Sequence, residues 1–143
     1  MSSSQRLTDF HILFFDVYAT LVDWETGIYD AMKPLLSRYP VSANWTLKQA
    51  IEEFTAIEVP LIQEHSHLPY RDLLAKNHEL LEEKLHRESG DQASIKPDYG
   101  DVDRHTKFGQ SIRNWPVFPR HINALRTLAK TLQTLVVQPP TPT

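Results

Sequence analysis

The chain has 143 residues and a formal net charge of −3, and 41% of its residues are hydrophobic while 23% are charged. These values are typical of a globular domain, and the acidic balance argues against binding to nucleic acid or to an anionic membrane, which needs a basic excess. The sequence has no cysteine, which excludes disulfides and thiol nucleophiles. It also has no apolar run near the roughly 18 residues that are needed to span a bilayer. We therefore expect a cytoplasmic protein.

The first predicted element is a strand over the apolar run from Ile12 to Phe15. A short run rich in β-branched and aromatic residues is typical of a strand that is buried on both faces. Asp16 follows at its carboxyl end, which is where ligands bind in open parallel sheets. A carboxylate there costs desolvation energy unless it is paired with another group or binds a ligand. The alternative interpretation is that Asp16 only caps the next turn, as a lone Asp after a strand usually does.

Two helices are predicted next. The first begins near Ile28, with Thr26 as a candidate cap, and Pro34 should kink it or split it. The second begins at about Leu47, because Thr46–Gln49 matches a capping box in which the two side chains satisfy free backbone donors reciprocally.

Three further helices and a second strand complete the pattern. The third helix is predicted from about Pro69 to Arg87, and the stretch from Ser89 to Gly100 is the clearest loop. A short helix from about Val102 to Ile112 follows. A final helix begins at Pro119, with its apolar residues turned inward, and Leu135 to Val137 is a short strand candidate. The inward residues of the final helix are Ile122, Leu125, Leu128 and Leu132.

Most other polar residues are interpreted as surface groups. His65 and His67 form a surface pair rather than a metal site, because residues two apart on a helix point to different sides. His105 and His121 have no partner pattern. A solvated face of the third helix is formed by Glu79, Glu82, Glu83 and Lys84.

The segment from Asp16 to Leu21, Asp-Val-Tyr-Ala-Thr-Leu, resembles the first motif of the haloacid dehalogenase superfamily, D-x-[DY]-G-T-[LV]. Tyr18 stands where the phosphatases of that superfamily carry a second Asp, which is similar to the 2-haloacid dehalogenase branch. The stretch from Asn114 to Pro119, with the helix and the apolar residues after it, is similar to the return of that family's chain from its helical cap to its second core strand. The resemblance covers most of the chain but only about the first half of the family's length.

The resemblance implies an α/β fold that is mostly helical as given, with a partial Rossmann-like core and a helical cap inserted between the first two strands. The core would comprise residues 1–24 and 114–143, and the cap would comprise residues 25–113. Trp24 and Arg113 are therefore the expected junctions.

The same resemblance implies a hydrolase in which Asp16 attacks C2 of a small 2-haloacid, expels halide and forms an ester that water hydrolyses. Thr20 would support the nucleophile and the substrate carboxylate, and Tyr18 would line the substrate site. A phenol is a poor ligand for Mg²⁺, so we expect neither a metal nor a cofactor. Ala19 replaces the motif's Gly and would be strained if that position needs a positive φ.

Several family features are missing from the sequence. The family's cap arginine would fall near Phe54, no Arg lies between Tyr39 and Tyr70, and Arg71 is the nearest substitute. The later Ser-Asn, Lys and acidic motifs do not occur after Val137. Electrostatic preorganisation usually supplies most of catalysis, so we expect the form given to be truncated and inactive.

Two alternative functions stay open. One is a non-catalytic fragment or helical interaction module, and the other is a phosphatase-like member of the superfamily, against which Tyr18 argues. The expected partner is a small carboxylic acid substrate, with no nucleic acid and no membrane. The sequence leaves open a homodimer and the identity of the substrate, including whether it is halogenated.

Overall fold

The computed structural model describes Arg6, residues 12–90 and 102–130, and the backbone of residues 133–136. Helices make up most of these residues. Seven elements follow one another in the order β1 (Ile12–Phe15), α1 (Trp24–Leu36), α2 (Leu47–Glu64), α3 (Tyr70–Ser89), α4 (Val102–Gln110), α5 (His121–Leu128) and β2 (Gln133–Val136), with a turn of 3-10 helix at Ser111–Asn114. Residues 91–100 of the predicted loop lie outside the described residues, as do Leu132 and Val137.

The chain divides into two compact units. One, the strand unit, contains the described residues up to Trp24 together with those from Pro116 onward. The other, the helical unit, runs from Glu25 to Trp115. No helix of the described residues is long and apolar enough to cross a membrane.

In the strand unit, β1 and β2 pair in parallel, with Ile12 opposite Gln133 and Phe15 opposite Val136. The predicted span of β1 is confirmed, while β2 begins two residues before the predicted Leu135. The prediction that β1 is buried on both faces is wrong, since Ile12 is 43% and Phe14 is 68% exposed. Alternate residues of a strand point to opposite faces, so one face of β1 is accessible to solvent.

The final helix also differs from its prediction. It begins at His121, two residues after the predicted start at Pro119, and none of its residues is buried. Ile122 was expected to point inward, yet it is 42% exposed. Its apolar periodicity is real, but periodicity predicts only that a face exists and not what covers it.

In the helical unit, the predicted start of α2 is confirmed. The Thr46 hydroxyl accepts a hydrogen bond from the Gln49 backbone N–H at 3.3 Å, and the Thr46 N–H donates to Gln49 Oε1 at 2.9 Å. The prediction for α1 is wrong at its start, because the helix begins at Trp24 and Thr26 lies inside it rather than capping it. Pro34 is exposed and the helix continues through it to Leu36, so it does not split the helix.

The core of the described residues lies in the helical unit. Every fully buried apolar side chain belongs to the segment from Ile28 to Trp115. Helix α3 packs against both α2 and α4. The approach of α4 to α3 depends on Gly109, since a Cβ there would overlap the carbonyl oxygen of Arg71. The largest fully buried side chains include Tyr39, Phe54, Ile28, Met32, Leu73, Leu74, Leu81 and Leu85.

Candidate functional site

Asp16 lies directly after β1 in the strand unit, and its side chain is exposed. The Thr20 hydroxyl donates a hydrogen bond to Asp16 Oδ2 at 3.2 Å. The chain between them turns back on itself, because the backbone N–H groups of Leu21 and Val22 both donate to the Val17 carbonyl, at 2.8 and 2.9 Å. This turn brings together the expected nucleophile and the hydroxyl that was expected to support it.

The turn depends on a strained residue. Ala19 has a φ of 62°, the left-handed region that glycine adopts without steric cost. Its N–H donates to the Val22 carbonyl at 3.0 Å, which closes the turn. The sequence predicted strain at Ala19 only if this position needs a positive φ, and the structure shows that it does. The backbone keeps the glycine-like conformation although the residue is Ala.

A second chain segment braces the turn from its other side. The Asp23 N–H donates to the Pro116 carbonyl at 2.8 Å, and the Phe118 N–H donates to the Leu21 carbonyl at 3.2 Å. Val22 and Val117 form an antiparallel bridge. The stretch that returns from the helical unit thus fixes the loop that carries Asp16.

Tyr18 lies on the same turn, where it forms a bridge with Val22, and it is half-buried. Desolvation by burial raises the pKa of its phenol above the usual 10.0, so the hydroxyl stays protonated at neutral pH. A protonated phenol can donate or accept a hydrogen bond, but it offers no anionic oxygen to a hard cation.

The helical unit contains a polar cluster that the sequence interpretation missed. Glu82, assigned to a solvated face, is 3% exposed, and that assignment is wrong. Its Oε1 accepts hydrogen bonds from Arg38 Nη1 and Tyr39 Oη, both at 3.1 Å, and its Oε2 accepts one from Arg104 Nη2 at 3.1 Å. A buried carboxylate is stable when it is paired in this way.

A pair of histidines adjoins this cluster. His78 Nδ1 and His105 Nδ1 are 2.7 Å apart, so one ring donates to the other. His105 Nε2 lies 3.7 Å from Glu82 Oε2, a contact that no sequence pattern indicated. Burial, and then the charges of His105 and Arg38, lower the pKa of His78 from 6.5 to about 3, so its ring is neutral at pH 7.

One sequence signal for the cluster was available. His78 and Glu82 are four residues apart and each follows a buried residue of α3, Asn77 and Leu81 respectively. Positions four apart lie on the same helix face, so the pair extends the apolar stripe rather than opposing it. The partners, which follow α1 or lie on α4, are distant in sequence, and no local pattern reveals them.

The position expected for a cap arginine belongs to the core. Phe54 is fully buried, and its ring lies 6.2 Å from that of Phe108 in a tilted arrangement. The carbonyl of Phe54 accepts a hydrogen bond from Asn77 Nδ2 at 3.1 Å. Arg71 is exposed and pairs with its neighbour Asp72 at 3.4 Å, which makes it a surface residue.

Metal-ligating side chains are scattered. The rings of His65 and His67 are 6.2 Å apart. Within residues 12–90 and 102–130, no group of three or more His, Asp or Glu side chains is arranged to hold a metal ion.

No protein-family model and no curated protein matches the chain.

Proposed function

We propose that this chain is a hydrolase of the 2-haloacid dehalogenase type, acting on a small 2-haloacid with Asp16 as its nucleophile. The observation that carries this proposal is the exposed carboxylate at the carboxyl end of β1, hydrogen-bonded to Thr20 at 3.2 Å. Ligands of parallel sheets bind at that end of the strands. The resemblance of Asp16–Leu21 to the first motif of the haloacid dehalogenase superfamily supports the same assignment.

The chemistry needs only a positioned carboxylate for its first step. One oxygen of Asp16 attacks C2 of the substrate, the carbon–halogen bond breaks, and the halide leaves with the bonding electrons. The resulting ester is hydrolysed by water, which yields the 2-hydroxy acid and a proton and restores the carboxylate. The Thr20 hydroxyl, already bonded to Oδ2, favours an orientation in which the other oxygen is free to attack.

Tyr18 supports a reaction without a metal. Its phenol occupies the position that holds a carboxylate in the superfamily's phosphatases, and burial keeps it protonated. Magnesium prefers carboxylate oxygens, so phosphoryl transfer is the weaker candidate. The proposed enzyme uses no cofactor and works in the cytoplasm on a small carboxylic acid.

The proposed architecture is a partial Rossmann-like core with an inserted helical cap. The parallel pairing of β1 with β2, across a connection that contains all five helices, supports it. Parallel strands need a crossover, and here the crossover includes the whole helical unit.

Because the later family motifs are missing, and because Phe54 is a core residue with no guanidinium at its position to hold a leaving halide, we expect no sustained turnover and at most a single slow displacement. The test therefore detects the covalent ester on Asp16, for which a single turnover is sufficient. The purified chain is incubated with 2-chloropropionate, digested and mapped by mass spectrometry for an ester on the Asp16 peptide, while released chloride is measured in parallel.

The matched variants are Asp16→Asn and Asp30→Asn. Asp30 is an exposed carboxylate of α1, paired only at the surface with Lys33 at 2.6 Å. We expect the adduct and the chloride release to be lost in Asp16→Asn, kept in Asp30→Asn and unchanged by EDTA. Absence of both signals in the folded wild-type chain would overturn the proposal in favour of a helical interaction module. A strict need for magnesium would favour the phosphatase-like alternative.

A further inference from the structure

A cavity of about 380 Å³ lies entirely within the helical unit, lined by α1, α3, α4 and the residues that follow α1 and α4. Its volume is within the range of small-molecule sites. It is lined by Ala31, Pro34, Leu35, Arg38, His78, Arg104, Lys107, Phe108 and Ser111.

The inner part of the cavity is apolar. Leu35 is 3% and Phe108 is 4% exposed, so both belong to the packed core. The Phe108 ring stacks on the ring of His78 with the centroids 4.5 Å apart and an interplanar angle of 27°. These side chains make this wall of the cavity apolar, which is suited to an aromatic or branched hydrocarbon group.

Three cations line the same cavity, and no carboxylate does so among the described residues. Lys107 is exposed and also forms an ion pair with Asp103, one turn earlier on α4. Arg38 is 20% and Arg104 is 27% exposed, so both guanidinium groups are partly desolvated. A guanidinium has five N–H donors in a planar fork that matches a carboxylate, and the bond from Arg38 to Glu82 uses Nη1. Charge-assisted hydrogen bonds from such groups are strong.

Glu82 holds the two guanidinium groups in place. It accepts a hydrogen bond from Arg38 with one oxygen and from Arg104 with the other, each at 3.1 Å, so one buried carboxylate binds both guanidinium groups. Ser111 adds a hydroxyl, which also accepts a hydrogen bond from Trp115 Nε1 at 3.2 Å. Preorganised donors lower the entropic cost of binding.

We propose that this cavity binds a small organic monocarboxylate with an aromatic or branched apolar body. The apolar group lies against Leu35 and Phe108, and the carboxylate faces Arg38, Arg104 and Lys107. All residues of this site belong to the helical unit, whereas the proposed nucleophile belongs to the strand unit. It does not depend on the proposed hydrolase activity.

The probe is benzoate, titrated into the full chain by isothermal calorimetry at low ionic strength, with benzamide as the neutral analogue of the same shape. We expect benzoate to bind with a dissociation constant of about 1 mM or tighter, and benzamide to bind at least about 10-fold more weakly. Absence of benzoate binding to the folded chain, or equal binding of benzamide, would overturn the proposal.

Two variants locate the site. Ala31→Leu fills the cavity without changing its charge, and we expect at least about a 10-fold loss of affinity, whereas Ala56→Leu on α2 serves as the matched control. Lys107→Met should weaken binding about 3-fold, with the exposed Lys48→Met as its control. Far-UV circular dichroism checks that each variant is folded. Unchanged affinity in both Ala31→Leu and Lys107→Met would show that benzoate binds elsewhere.

Discussion

The turn after β1 stores strain at a single residue. Ala19 has a φ of 62°, and the left-handed conformation costs a non-glycine residue about 1–2 kcal/mol. Ala19→Gly removes that cost but adds about 0.4–1 kcal/mol of backbone entropy in the unfolded chain. We therefore expect a net gain of about 0.5–1 kcal/mol, seen as slower hydrogen exchange of the Leu21 and Val22 amides. Ala43→Gly, in a turn where φ is not positive, should bring no such gain, and faster exchange in Ala19→Gly would contradict the strain.

The buried carboxylate of Glu82 supports two partly buried arginines. Glu82→Gln keeps the shape of the side chain but removes the charge that compensates Arg38 and Arg104. Removal of one partner from a buried ion pair costs about 3–5 kcal/mol, and the partial exposure of both arginines lowers the expectation to about 2–3 kcal/mol. Urea unfolding followed by circular dichroism measures the change. Glu52→Gln, which removes a surface pair with Lys48 at 3.8 Å, should change stability by less than about 0.5 kcal/mol.

His78 makes the stability of the fold depend on pH. Its pKa is about 3 in the folded chain against 6.5 as the ordinary value, because it is buried and lies near His105 and Arg38. As the pH falls, His78 is protonated in the unfolded chain before it is protonated in the folded chain. The free energy of unfolding is therefore unaffected by His78 above pH 6.5 and decreases between pH 6.5 and about 3. Because one extra proton binds to the unfolded chain over the roughly 1.5 pH units from 6.5 to 5, the free energy of unfolding should be about 2 kcal/mol lower at about pH 5.

The measurement is urea unfolding at pH 7 and pH 5 of two variants. In His78→Gln the loss between the two pH values should be smaller by about 2 kcal/mol than in His67→Gln, which replaces an exposed histidine. The charged and titratable groups around the ring, namely Arg38, Glu82, Arg104 and His105, are the same in both variants. Equal pH dependence in the two would contradict the assignment.

At the scale of elements, α4 reaches α3 through a glycine. A Cβ on Gly109 would overlap the carbonyl oxygen of Arg71, and backbone cannot rotate away as a flexible side chain can. Gly109→Ala must therefore separate the two helices, although alanine is the better helix former by about 1 kcal/mol. We expect a net loss of at least about 2 kcal/mol in urea unfolding. Gln110→Ala, one residue on and exposed, should be neutral within about 0.5 kcal/mol, and a stabilised Gly109→Ala would show that the helices are not in contact there.

Sequence reasoning succeeded where the determining partners are local. The capping box at Thr46 joins groups three residues apart, and it predicted the start of α2 correctly. Sequence reasoning failed for Glu82, whose partners Arg38 and Arg104 are 44 and 22 residues away. A charged residue on a helix looks solvated until the opposing helices are known, and pairing rather than polarity decides whether it can be buried.

The same limit applies to the strands and to the candidate site. The span of β1 followed from its composition, but its burial depends on what covers each face, and Phe14 is 68% exposed. The contact between Asp16 and Thr20 was expected only from the resemblance of Asp16–Leu21 to the first motif of the haloacid dehalogenase superfamily. The cavity beside Arg38 was not expected, because it is assembled from three helices that no motif links. The second junction between the units falls after Trp115, two residues beyond the expected Arg113.

At the scale of the whole molecule, the core is distributed unevenly. Within the described residues, every fully buried apolar side chain lies between Ile28 and Trp115, and the unit that contains β1 has none. Burial of apolar surface is the main source of stability, and a two-stranded ribbon alone is marginal in water. The helical unit should therefore be the more stable of the two, and the strand unit should open in local fluctuations that leave the helices of the helical unit intact.

Native-state hydrogen exchange on the full chain measures both units at once. We expect the amides of β1 to exchange through openings that cost several kcal/mol less than those of α3, for example at Leu81 and Leu85. Small amounts of urea should lower the protection of α3 with a steep dependence and leave that of β1 almost unchanged, because local openings expose little surface. Since Asp16 follows β1 directly, the proposed nucleophile would then lie on the less stable unit, where a bound substrate could add protection by mass action. Equal protection and equal urea dependence in β1 and α3 would instead show that the two units unfold as one.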